Sequence, residues 1–130
     1  MTKIMLSNGL RGKSYPAKYV KQCDQALENW AKVNNVQYEL LHSFRPNQYE
    51  KEVAEHGLKV ARIRMLGETI TDELAMCDIL ALCDDWYNYD GCQVEFEIAK
   101  RYGKPIVFLP ACRTGRQTAD FNSTAEELQP

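Results

Sequence analysis

Two runs in this chain are apolar from end to end, residues 79–83 (ILALC) and 105–109 (PIVFL), and each follows a segment of helical periodicity. A strand apolar on both faces has to be covered on both faces, which is the condition of a parallel sheet packed between two helical layers. The earlier half of the chain repeats the alternation. Residues 3–7 (KIMLS) form a short, largely apolar strand that breaks at Asn8-Gly9. Across residues 16–34 the positions Val20, Cys23, Leu27, Trp30 and Ala31 recur at helical spacing, with Pro16 suited to a first turn and Asn34-Asn35 to a stop. Val36, Tyr38 and Leu40 alternate with Gln37 and Glu39, predicting a second strand that ends before His42-Ser43. Residues 44–57 are the least regular stretch; 49–55 fit a short helix, and the segment reads as a candidate lid. Met65 or Leu66, Ile70, Leu74 and Cys77 mark an amphipathic helix beginning between 58 and 62, and residues 93–102 mark another that stops at Gly103. Beyond Pro110 the chain is polar, with Ser123 and Glu126 spaced as the cap of a short helix over 123–128. The class predicted is α/β, as one domain over residues 1–130 with a polar segment at 111–130.

Charge and composition narrow the partners. Sixteen basic and 18 acidic side chains leave a formal net charge of -2, without the basic excess that a nucleic-acid polymer calls for. No apolar stretch approaches the length of a membrane span, and residues 1–10 lack the apolar centre of a signal peptide, so the expected location is cytoplasmic, with no membrane partner. The five cysteines contain no C-x-x-C pair and read as buried thiols. His42 and His56 lie far apart in no metal-binding pattern, so neither a metal nor another cofactor is expected.

In a parallel α/β sheet the ligand sits beyond the carboxyl ends of the strands, where strand order reverses. The loops that should meet there are residues 8–14 and 84–91. Glu95 is chemically odd in this setting. At about 100° per residue, Val94, Ile98, Ala99 and Tyr102 define an apolar helix face with Glu95 in its middle, while Glu97 turns outward. An acid on the sheet-facing side must be paired or open onto a pocket. In the first turn after Gly91 the helix dipole favours its anion, which suits a nucleophile and equally suits a carboxylate that only complements the dipole. Asp84 and Asp85 follow the third strand and project toward the same edge. Two carboxylates at one site can divide the roles of nucleophile and proton donor or hydroxyl acceptor, although Asp is also an ordinary turn residue. The loop Ser7, Asn8, Gly9, Leu10, Arg11, Gly12, Lys13, Ser14 combines glycines, cations and hydroxyls before a helix. It fits a phosphate cradle or a solvated basic loop, and lacks the first glycine of a Walker A motif. Trp86, Tyr87 and Tyr89 offer stacking faces for a planar base, or local packing.

Taken together, Gly91-Cys92-Gln93-Val94-Glu95, Ala99 and Gly103-Lys104-Pro105 resemble the G-x-x-x-E-x-x-x-A and G-K-P motifs of the nucleoside 2-deoxyribosyltransferase superfamily. Cys77-Asp78-Ile79 leading to Asp85 resembles its third strand with an acidic tip, and Leu10-Arg11-Gly12-Lys13 the phosphate loop of its deoxynucleoside 5′-monophosphate N-glycosidase branch. The first loop departs from the family's A-G-P, reading Ser7-Asn8-Gly9. The resemblance covers most of residues 3–109. It implies a flavodoxin-like three-layer sandwich with a four- or five-stranded parallel sheet. It also implies cleavage or transfer of the N-glycosidic bond of nucleosides or their 5′-monophosphates, through a retaining displacement. Glu95 is then the nucleophile and Asp85 the residue that binds a sugar hydroxyl or handles the proton on the departing base. Ser7, Asn8, Gly9, Arg11, Gly12, Lys13, Ser14, Asp84, Trp86 and Gly91 are the expected substrate contacts. A homodimer or higher oligomer is implied, with Asn122 as a C-terminal contact and Phe96, expected to face away from the sheet, at the interface. The competing reading is a nucleotide-binding or sequestering protein of the same fold without turnover.

Overall fold

The computed structural model describes residues 1–8, 16–42 and 46–110. Its elements are β1 (Thr2–Ser7), α1 (Pro16–Val33), β2 (Tyr38–His42), α2 (Pro46–His56), α3 (Leu58–Thr69), β3 (Ile79–Leu82), α4 (Asp90–Arg101) and β4 (Ile106–Phe108). A π turn, Ile70–Leu74, continues α3, and a 3-10 turn, Trp86–Asn88, precedes α4. The four strands are all parallel in the order β2-β1-β3-β4, a flavodoxin-like three-layer α/β sandwich.

Strand pleating sorts the core into two layers. Ile4 and Leu6 of β1, with Ala81 and Cys83 of the β3 segment, pack against Tyr19, Cys23, Leu27 and Trp30 of α1. Met5, Leu80 and Leu82 point the other way, onto Leu74, Cys77, Trp86, Cys92 and Ala99. Helix α1 ends where the two asparagines predict: Asn34 Nδ2 donates to the Trp30 carbonyl at 2.9 Å, and Asn35 takes the left-handed conformation at φ 57. The second strand starts two residues later than the alternation predicts and runs on to His42, because its register is set by β1, from Thr2 opposite Tyr38 to Leu6 opposite His42.

The candidate lid is, over its described part, the helix α2, which packs against α3 after a turn at Gly57, φ 84. The Glu52 carboxylate receives Arg64 Nε at 2.7 Å across that pair. In the π turn Glu73 and Leu74 are both buried while Asp72 stays exposed.

Helix α4 begins three residues before the predicted start, and its buried face is Cys92, Glu95 and Ala99. The expected face was misphased: Val94 is 39% and Tyr102 80% exposed. Phe96 does not face away from the sheet either. Its ring lies 4.6 Å from Trp86 and 6.1 Å from Phe108, over the edge strand β4. Lys104 Nζ donates to the Cys77 carbonyl at 2.6 Å, tying the entrance of β4 to that of β3. Cys23, Cys77, Cys83 and Cys92 are buried free thiols. Among the described residues no helix is long and apolar enough to cross a membrane, and no cluster of side chains could hold a metal ion. The short helix expected at 123–128 lies outside the described residues.

Truncating Leu80, fully buried between β1 and α4, should cost about 2–5 kcal/mol in Leu80→Ala, whereas Val94→Ala should stay within about 0.5 kcal/mol of wild type. Urea denaturation of the two variants checks both values, and similar losses would contradict the revised phase of α4.

Candidate functional site

The chain leaves β1 toward β2 on one side and later returns to place β3 on the other, so strand order reverses between β1 and β3. Ser7, the last residue of β1, stands opposite Leu82 of β3 at that point. Its side chain follows Met5 onto the α4 side of the sheet, where Ser7 Oγ donates to Glu95 Oε1. The same hydroxyl lies 3.2 Å from Cys92 Sγ, one helical turn earlier on α4. Ser7, Cys92 and Glu95 are 2%, 4% and 6% exposed, so this is a desolvated cluster.

Burial pushes the Glu95 carboxyl up to about 7; the Ser7 hydrogen bond works against that rise, and the charge of Glu73 adds to it. Burial likewise pushes the Cys92 thiol up to about 12, with the Glu95 charge reinforcing it, so Cys92 stays protonated beside the carboxylate. Glu73 is itself buried, at the π turn. The sequence reading passed over it, although the signal was available: Glu73 falls among Ile70, Leu74 and Cys77, an acid on an apolar helix face by the same test that singled out Glu95.

Asp85 is 2% exposed and reaches the other layer, where its Oδ1 accepts the Tyr19 hydroxyl at 2.7 Å. Burial holds the Tyr19 phenol far above its ordinary value, with the Cys83 and Cys23 sulfurs and the Asp85 carboxylate adding to the rise, so it remains a donor. The charge of Asp85 is felt at Cys92, while the acid felt at Glu95 is Glu73. Tyr19 was also absent from the predicted set, since a tyrosine at helical spacing reads as core.

Of the other predicted residues, Asp84 is half-buried in the turn after β3, and Gly91 sits in the first turn of α4 beside Leu66, with room for a methyl group. Trp86 is buried against Phe96 and Phe108, which accounts for its ring by packing. Exposed Tyr87 lines a cavity of about 720 Å³ with Asp90 and Val94, on the outside of α4 and away from Ser7 and Glu95. Among the described residues the buried Asn8 Nδ2 group, at the tip of β1, has no hydrogen-bond partner. Gly9, Arg11, Gly12, Lys13, Ser14 and Asn122 lie outside the described residues.

No protein-family profile, characterised protein or solved structure matches the chain. The functional conclusion therefore rests on the chemistry of this cluster.

A carboxyl raised on folding binds its proton in the native state before the unfolded chain does, so its burial costs stability as pH climbs from about 4.5 to about 7 and in full above that. Glu95→Gln should therefore be more stable than wild type at pH 8, by on the order of 3 kcal/mol at most, with the gain vanishing near pH 4. Denaturant melts at the two pH values measure this; a pH-independent difference would contradict a buried, ionising Glu95.

Proposed function

We propose that the chain breaks or exchanges the N-glycosidic bond of (deoxy)nucleosides or their 5′-monophosphates, with Glu95 as nucleophile. The observation that carries this reading is the buried Glu95 carboxylate, held by Ser7 at the reversal point of a parallel sheet. A carboxylate with a pKa of about 7 is ionised in good part at neutral pH yet poorly solvated, which suits attack on an electron-poor carbon.

In the proposed reaction an oxygen of Glu95 bonds to the anomeric carbon as the bond to the base nitrogen breaks, and the bonding electron pair leaves with the base. The base takes up a proton from a nearby carboxylic acid, a role open to Asp85 and to Glu73. Water then attacks the anomeric carbon, its bond to the Glu95 oxygen breaks to return the carboxylate, and the water's proton goes to the carboxylate that had protonated the base, giving net hydrolysis with retention; a second base in place of water gives transfer. Among the described residues the buried Asn8 Nδ2 has no acceptor, which leaves a donor at this edge that a ligand could use. Arg11, Gly12 and Lys13 are the proposed 5′-phosphate contacts. A homodimer or higher oligomer remains part of the proposal, with contacts other than Phe96, which packs inward on Trp86.

Incubation with the common deoxynucleosides and their monophosphates, followed by chromatography for free base, should show base release. Binding without release from any of them would instead support a sequestering protein. Glu95→Gln should lose essentially all turnover, while Glu97→Gln, which removes only an exposed pair with Arg101 at 2.7 Å, should keep it. For the phosphate contact, Arg11→Ala should lower kcat/KM on a monophosphate by on the order of tenfold or more and leave the unphosphorylated nucleoside nearly unchanged. Equal losses on both would assign Arg11 to the fold.

A further inference from the structure

The buried contact between Tyr19 and Asp85 has no need to exist for the fold alone. A phenylalanine at position 19 would fill the same place in the cluster formed by Ile4, Leu6, Cys23 and Ala81, without requiring a carboxylate to be buried beside it. Replacing a buried polar pair by apolar groups of similar shape is often neutral or stabilising, so the pair calls for a reason other than stability. Its placement offers one. Asp85 belongs to the loop that leaves β3, Tyr19 is the fourth residue of α1, and the hydrogen bond spans the gap between these two elements at the carboxyl edge of the sheet. The turn preceding the 3-10 segment has a backbone of its own to hold Asp85: Trp86 N–H donates to the Cys83 carbonyl at 3.1 Å and Asn88 N–H to the Asp85 carbonyl at 3.0 Å. The backbone of the turn is held by these two bonds, and the phenol adds a contact to the carboxylate itself.

We infer that Tyr19 is a positioning residue, whose hydroxyl orients the Asp85 carboxylate to accept a hydroxyl group of the substrate's sugar. The inference rests on the N-glycosidic reading above and deepens it by dividing the two layers of the site: the α4 layer, with Glu95, acts on the anomeric carbon, and the α1 layer, with Tyr19 and Asp85, recognises the sugar. Tyr19 touches no reacting atom in this scheme. Because the phenol stays protonated throughout the working pH range, it serves as a constant donor rather than a titrating switch.

The test compares a 2′-deoxynucleoside 5′-monophosphate with its 2′,3′-dideoxy counterpart, which lacks the 3′-hydroxyl, in wild type, Tyr19→Phe, Asp85→Asn and the double variant. Tyr19→Phe should lower kcat/KM on the deoxy substrate by on the order of tenfold or more and leave the dideoxy substrate within about twofold, with little further loss when Asp85 is already Asn. A packing role would lower both substrates alike, and that result, or no loss on either, overturns the inference. If Tyr19→Phe fails to fold, Asp85→Asn carries the comparison, and equal losses on the two substrates overturn it as well. Wild-type protein that releases base from neither substrate, nor from the other nucleosides tested, removes the N-glycosidic reading itself. Wild-type turnover with unselective variants removes only the role of Tyr19.

Discussion

A carboxylate on the inner face of a helix pays a desolvation penalty that has to be met locally, and for Glu95 the partner is the hydroxyl of Ser7. That contact depends on nearly everything else in the fold. β1 must lie beside β3, in a register that ends with Ser7 opposite Leu82, and α4 must run back over β3 with Cys92, Glu95 and Ala99 turned inward. On the same side of the sheet the rings of Trp86, Phe96 and Phe108 pack together. Glu73 then works against the contact. A second buried acid on the same side raises the cost of ionising the first.

The edge where β1 and β3 end carries acids in both layers, each with a neutral hydroxyl donor. Ser7 donates to Glu95 on the α4 side and Tyr19 to Asp85 on the α1 side. Neutral donors hold an anion in place without cancelling its charge, as an ammonium or guanidinium group would. In the proposed reaction a sugar ring at this edge lies between Glu95 of one layer and Asp85 of the other.

The alternation of strand and helix was legible because apolar runs such as ILAL and IVF have no other stable home than a doubly covered sheet. Glu95 was legible for a related reason: an acid surrounded by inward-facing positions is rare enough to stand out. Its neighbours were harder to assign. Counting Val94 and Tyr102 as inward rested on hydrophobicity, whereas the phase is set by the small residues Cys92 and Ala99, which let α4 approach the sheet. Glu73 was legible by the same test, since residues 70, 73, 74 and 77 form one face of a helix, but the apolar members of that face drew the eye instead. Tyr19 and Asp85 meet across 66 positions, a contact that no local pattern encodes.

The most direct test of the central claim is to look for the bond that Glu95 is proposed to form. After rapid acid quenching of the protein with a deoxynucleoside 5′-monophosphate or deoxynucleoside that it cleaves, peptide mass mapping should find the sugar portion of the substrate on the α4 peptide that contains Glu95. The adduct should be absent from Glu95→Gln. Base accumulating with no adduct at Glu95, or with the sugar attached to another residue, would contradict the account.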